Sequence, residues 1–274
     1  MGVLLALASA VCYGIVDFTG GLLSRRASFA VVAVAGQAGG LALTVLLAPV
    51  IPASSVTFAD LAWGAASGVG TAVGMLFLYR GLSRGAMSVV VPVSAVSGVA
   101  LPVVIGVAVL HDRLSAASWL GVAVAVPALW LVSRTPDDDP SGTAAASDGL
   151  IAGTGVALQY VALAQAGSDA GIWPVLAGRV AATLVLLPLL VRAEKPSLVA
   201  TLQAAAIGAT AALALTFYLA ATRQQLMVVA VVLSSFYPAI PVLLGVTALR
   251  ERLTRWQTLG LTGAAAAVAL LTTG

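Results

Sequence analysis

Along the 274 residues, apolar stretches of about 20 positions follow one another, each closed by a short cluster of charged, Gly, Pro or Ser residues. They show neither the two-residue alternation of a half-buried strand nor the single apolar stripe of a surface helix. At about 1.5 Å per residue such a run crosses a hydrocarbon layer of about 30 Å. The pattern predicts ten transmembrane helices, at 2–23, 29–50, 58–79, 86–109, 115–133, 148–166, 171–191, 199–221, 226–249 and 255–273. With further spans at such short intervals, the first is expected to be a span rather than a signal peptide, and no room is left for a soluble domain. The one long polar stretch, SRTPDDDPSGTAAASDG at 133–149, is rich in Pro, Asp, Ser and Gly and reads as a flexible connector. The expected organisation is therefore residues 1–134, a linker at 135–147, and residues 148–274.

Composition turns that pattern into a class. Hydrophobic residues make up 61% of the chain and charged ones 8%, against about 25% charged in soluble domains. Mean hydropathy is +1.08. This is the composition of an integral membrane protein, and without water in the hydrocarbon each span must satisfy its own backbone, which makes the spans helices.

The two halves also repeat. LPVVIGVAVLHDRL ends at Leu114 and IPVLLGVTALRERL at Leu253, 139 positions later, and at the same offset Tyr79 matches Tyr218, Arg84 matches Arg223, Pro102 matches Pro241, Gly106 matches Gly245 and Gly121 matches Gly260. Apolar letters align by chance; Tyr, Pro and Arg in register do not. Five spans per copy is an odd number, so the second copy enters the membrane from the opposite side. The expected fold class is an all-α integral membrane protein with ten transmembrane helices, arranged as two inverted five-helix repeats around a central cavity. In such proteins a site near the midplane is exposed to each side in turn.

The helix ends HDRLSAASWLGVAVAVPALWLVS and RERLTRWQTLGLTGAAAAVALLTTG, each after a Pro-containing helix, and CYGIVDF in the first span resemble the paired signature of EamA-type transporters of the drug/metabolite transporter superfamily. The resemblance covers nearly the whole chain. It implies a ten-helix bundle with a central cavity, transport (commonly export) of small metabolites such as amino acids, and both termini in the cytoplasm. Asp112 stands where that signature usually has Glu.

Two charged residues lie well inside spans, away from their ends: Asp17 and Arg179. A carboxylate at the centre of a span costs about 2.5–3.5 kcal/mol on insertion scales, so Asp17 is expected to face a wet cavity, pair with a cation or be protonated. Ser9, Tyr13 and Asp17, four apart, share one helical face. Two roles fit Asp17: a structural bridge to Arg179, or a proton or substrate-amine site in the cavity. Arg179 aligns with Gln37 when the second and seventh helices are matched by Gly36 and Gly178, which makes both candidates for cavity lining. Ser94 and Ser97 on the fourth helix, and Ser234, Ser235 and Tyr237 on the ninth, lie among prolines that bend a helix and free a carbonyl. They read as local hydroxyl bonding at kinks or as cavity walls. Gly64, Gly68, Gly70 and Gly74 carry the spacing of close helix packing. Tyr79 and Tyr218, near helix ends, suit either interfacial anchoring or symmetric gating. His111 has no His or Cys companion for a metal, Cys12 has no disulfide partner, and no Walker-type loop is present, so no cofactor, no metal and no enzymatic activity are expected.

The function this predicts is secondary transport of a small polar metabolite, an amino acid or related compound among the candidates. It would proceed by alternating access across the plasma membrane of a prokaryote, in the exporting direction. The rival expectations are an uncoupled facilitator of the same fold and a non-transporting membrane scaffold. The expected partners are the substrate and the lipid bilayer, with protons as candidate coupling ions; the protein would act as a monomer or homodimer, and nucleic acid is not a partner. Lys and Arg concentrate in the odd-numbered loops: Arg25, Arg26, Arg80, Arg84, Arg134, Arg192, Lys195, Arg250, Arg252 and Arg255, against Arg113 and Arg223 in the even ones. By the positive-inside rule both termini then lie outside, opposite to what the resemblance implies. A C-terminal alkaline phosphatase fusion, active only outside the cytoplasm, is expected to be active on the charge reading; activity of a cytoplasm-only reporter instead would assign the topology that the resemblance implies.

Overall fold

The structure, a computed structural model, describes residues 1–85, 87–109, 115–133, 140–192, 197–222, 224, 237–250 and 252–273. Among them are ten α-helices and no strand: α1 (Gly2–Ser24), α2 (Phe29–Leu47), α3 (Phe58–Arg84), α4 (Met87–Val109), α5 (Ala116–Ser133), α6 (Pro140–Ala164), α7 (Trp173–Leu186), α8 (Leu198–Thr222), α9 (Ala239–Thr247) and α10 (Arg255–Thr273). Five stretches are long and apolar enough to cross a membrane: α1, α2, α3, α7 with the 3-10 turn that extends it to Val191, and α8 to Ala221. Met87–Gly98 and Trp119–Ala128 are shorter apolar segments.

Three boundaries differ from the expected ones. Helix α3 runs five residues further, to Arg84, and so carries Tyr79, Arg80 and Arg84 on a helix rather than at its end or in a loop. Helix α6 begins at Pro140, inside the expected linker; proline suits a first helical position because its missing N–H has no intrahelical acceptor there. Helix α7 gives way to a 3-10 segment at Leu187–Arg192, where Pro188 cannot donate the next i→i−4 bond. Of the ninth predicted span only the part from Tyr237 onward is described, so Ser234 and Ser235 lie outside the described residues.

Packing pairs the halves in a repeating way. The most extensive interfaces are α3 with α6 and α7, α8 with α1 and α2, α4 with α6, and α5 with α10. Moving each helix on by five turns α2–α8 into α7–α3, α1–α8 into α6–α3, and α4–α6 into α9–α1, which are also in contact. The crossings are made of glycine. A Cβ on Gly208 of α8 would land on the Gly36 carbonyl of α2, and a Cβ on Gly68 of α3 on the Gly178 carbonyl of α7. A Cβ on Gly70 would stand 2.6 Å from the Gly155 carbonyl oxygen of α6. Between helices in lipid no hydrophobic force operates, so attraction must come from close backbone contact, which only small residues allow.

Both ends of α3 are tied to the second half. At its start Thr57 and Asp60 form a reciprocal capping box, and Asp60 Oδ1 also accepts from the Gly167 N–H at 2.7 Å, in the turn after α6. At its far end Arg80 Nε donates to Asp148 Oδ1 of α6 at 3.0 Å, and Arg84 reaches Asp148 Oδ2 at 3.5 Å. The Arg80 guanidinium also lies 4.2 Å from the centre of the Phe77 ring.

Gly68→Ala and Gly208→Ala are expected to lower thermal stability in detergent by about 1–3 kcal/mol, because the methyl meets backbone that has no room to retreat. At Gly36 the nearest atom to an added Cβ is 3.5 Å away. Gly36→Ala should therefore be neutral or gain up to about 1 kcal/mol of helix propensity.

Candidate functional site

One cavity lies where these crossings hold the helices apart. The empty space between its walls, counted out through its open side, is about 720 Å³. Tyr13, Val16 and Asp17 of α1 line it, with Thr71, Gly74, Met75, Leu78 and Tyr79 of α3. The remaining wall is Ser94 of α4, Ala152, Val156, Gln159 and Tyr160 of α6, Arg179 of α7, Ala211 of α8, and Tyr237 just before α9. Among the described residues, none of α5 or α10 is in the lining. They pack on each other through Ala125, Ala128, Ala264 and Ala267, and turn Trp119, Trp130 and Trp256 outward.

Asp17 is 7% exposed and points into the cavity on the α1 face that carries Tyr13. Among the described residues it has neither a hydrogen-bond nor an ion-pair partner. The expected bridge to Arg179 is not formed. Arg179 Nη1 instead donates to Gln37 Oε1 at 2.9 Å, and Gln37 Nε2 points its hydrogen at the Met75 sulfur, 2.6 Å away. Room for the guanidinium comes from Gly40 of α2, where a Cβ would stand 3.4 Å from Cζ. Gln37, fully buried, thus does not line the cavity as expected but holds the residue that does. The alignment of Gln37 with Arg179 in sequence becomes a direct contact across α2 and α7.

Tyr79 lies inside, not at an interface. It is 1% exposed, its hydroxyl has no hydrogen-bond partner, and its ring occupies the space that Gly20 leaves open on α1. Its repeat partner Tyr218 is half-buried and off the lining; it packs against Tyr160 with ring centres 6.4 Å apart. Ser94 lines the cavity while bonding the Val91 carbonyl at 2.9 Å. Ser97 does not: its hydroxyl donates to the Val93 carbonyl at 2.7 Å. Tyr237 stands against α1, its ring centre 6.1 Å from that of Tyr13 at 58°, a closeness that Gly14 permits: a Cβ there would be 2.8 Å from the Tyr237 carbonyl oxygen.

Gln159, Tyr160 and Thr71 are lining residues that the sequence reading passes over. A signal existed for the first two: Gln-Tyr is an adjacent polar pair among the apolar residues 155–164 that end α6, but charge inside a span, the criterion applied, does not mark neutral groups.

Similarity to known proteins agrees with this arrangement. The EamA-like transporter family matches residues 1–134 and again residues 145–273. The chain belongs to the EamA-like transporter family. It is therefore a membrane transporter of the drug/metabolite transporter superfamily, whose members transport rather than catalyse. No curated protein matches the sequence. One solved crystal structure aligns over 99% of this chain and 96% of its own, with a TM-score of 0.60 at 18% identity, a likeness of fold.

Removing the Tyr79 hydroxyl takes away a buried group without a partner, whose burial costs about 1–3 kcal/mol. Tyr79→Phe is expected to unfold at the same temperature as the parent or higher; a clear loss of thermal stability would mean that the hydroxyl is satisfied.

Proposed function

We propose that this EamA-family chain is a gradient-driven exporter of a small polar metabolite, working by alternating access in a prokaryotic plasma membrane. The observation that carries the reading is that Asp17 and Arg179 line one cavity without pairing to each other. A buried, uncompensated charge is costly. Two of opposite sign, held apart on the walls of one cavity, are accounted for by cargo that completes them.

The ten-span inverted arrangement, with repeats at 1–134 and 148–274 joined by 135–147, is part of the same reading. It is supported by the way packing maps onto itself when each helix moves on by five. Under that symmetry the outward and inward states are built from equivalent contacts, so their energies lie close and a modest gradient can bias them. The strongly packed groups are α3 with α6 and α7, and α8 with α1 and α2. These bundles, each drawn from both halves of the sequence, would be the rigid bodies that rock. Asp17, a carboxylate at the cavity wall, would carry the coupling proton, exchanging it for cargo on one side and regaining it on the other.

A thermal-shift screen of amino acids, sugars and amines on purified protein supplies the compound for proteoliposome assays. With an imposed proton gradient the parent is expected to accumulate that compound. Asp17→Asn, which keeps size and hydrogen bonding but cannot titrate, should abolish accumulation and retain counterflow at saturating substrate. Accumulation by Asp17→Asn equal to the parent, with the same pH dependence, would make Asp17 structural; equilibration without accumulation by the parent would make the protein a facilitator.

A further inference from the structure

Helix α1 packs with α8 and α2, and α3 with α6 and α7, yet α1 and α3 also touch, near the end where both helices stop. Much of that contact is smooth. A Cβ on Gly20 of α1 would stand 2.6 Å from the Tyr79 hydroxyl, and one on Gly21 would be 2.8 Å from Met87 Cε and 3.0 Å from Leu82 Cδ1. Side chains resting on bare backbone are not interlocked, so this surface parts without any rotamer change. Tyr79, Leu82, Met87, Val90 and Val91 are buried there in one cluster, which packs this rim of the cavity shut. Arg25, the residue after α1, adds a polar tie: Nε donates to the Leu82 carbonyl at 3.0 Å and Nη2 to the Gly85 carbonyl at 3.0 Å. Leu82 is in the last turn of α3, whose carbonyls lack intrahelical donors and carry partial negative charge, so a guanidinium fork suits them.

This tie differs from the other polar contacts in what it joins and where. Arg80 and Arg84 meet Asp148 within one packed group, α3 on α6. Arg179 and Gln37 do join the two groups, but at the level of the cavity, where rocking about the midplane moves the helices least. Arg25 joins them at the rim, where rocking moves them most. It also has no counterpart. Moving each helix on by five carries the α1–α2 turn to the turn after α6 and the end of α3 to the end of α8, and from Pro140 to Gly178 the chain has no Lys or Arg. At that opposite rim Tyr218 and Ala221 of α8 meet Leu5 and Ala6 of α1 through apolar surface. The repeat symmetry that would make the two states equal in energy is broken at Arg25.

We infer that Arg25 is a one-sided latch: its fork on the end of α3 holds this rim of the cavity closed and makes the closed-rim state the resting one. The inference rests on the reading of the two packed groups as bodies that rock. Opening this rim requires the guanidinium to leave both carbonyls, whereas opening the other rim separates apolar surface alone. The glycine face beneath Arg25 supplies a surface that opens freely, and the arginine supplies the bias that such a surface lacks.

Distances across the rim test the latch without any knowledge of the cargo. Spin labels are placed on the full chain in lipid nanodiscs by Arg26→Cys and Ser147→Cys, both exposed positions, in a Cys12→Ala background, and pulsed electron resonance reads the distance between α1 and α6. With Arg25 present one short distance should dominate. Arg25→Ala should raise the share of a longer distance at least about threefold, the effect of losing a charged hydrogen-bond fork at a wet surface. Arg84→Ala removes a charge from the same rim but none of the ties between the groups, and should leave the distribution as it was. An unmoved distribution in Arg25→Ala overturns the latch, whether or not thermal stability falls, because Arg25 is then only a cap for α3; so does an equal shift in Arg84→Ala, or failure of Arg25→Ala to fold. Counterflow of the compound found in the thermal-shift screen decides the transport reading separately: counterflow with unmoved distances removes the latch alone, and a parent without counterflow removes the transport reading.

Discussion

Close approach of one helix backbone to another, at points where no side chain intervenes, is the contact on which this molecule depends. Helices in a hydrocarbon layer gain nothing by hiding apolar surface from each other, so dispersion and carbonyl contacts at short range must hold them. Gly36 against Gly208, Gly68 against Gly178, and Gly70 and Gly74 against Gly155 supply such approach at three crossings. Where the helices meet at glycine they are fixed in height and rotation. That fixing decides which residues of each helix face inward, and the cavity is the space left where larger side chains hold the same helices apart.

The electrostatics of the cavity follow from that geometry. Arg179 is brought to the α2 wall by the Gly68–Gly178 crossing and kept there by Gln37, which in turn is oriented because the guanidinium claims its carbonyl oxygen and leaves the amide for the Met75 sulfur. Asp17, on a different helix, is left facing the space. A protein that kept both charges for stability would have joined them; here one is anchored and the other exposed to whatever enters. Among the described residues the ion pairs lie elsewhere, at the end of α3, where Arg80 and Arg84 meet Asp148 of α6. With the Asp60 contact to Gly167 at the opposite end, α3 is fastened along its length to the second half of the chain. The divisions in sequence and the bodies in space therefore do not coincide.

Much of this was legible in the residue string, and the parts that were not share a cause. The length and spacing of apolar runs, the glycine spacing on α3, and the presence of Asp17 and Arg179 as charges inside spans all follow from what each residue is and how far it stands from its neighbours in the chain. Helix ends were less legible. Tyr79 suited an interface or a gate because the run of apolar residues stops beside it, yet α3 continues through Arg80 and Arg84, whose charges meet Asp148 and, for Arg80, the Phe77 ring. A hydropathy count has no means of knowing that an arginine near a span end already has a partner on another helix.

By itself the sequence determined that the chain must fold as helices in a membrane, and that two charges in those helices would demand an explanation, because hydropathy and charge are properties of single residues summed over a window. Only the tertiary structure decided that Arg179 answers to Gln37, that Tyr79 and Tyr237 line one cavity with Asp17, and that Gln159 and Tyr160 join the wall. Each of those meetings depends on the rotation of a helix about its own axis, and rotation is set by which glycine faces which backbone across residues more than eighty positions apart.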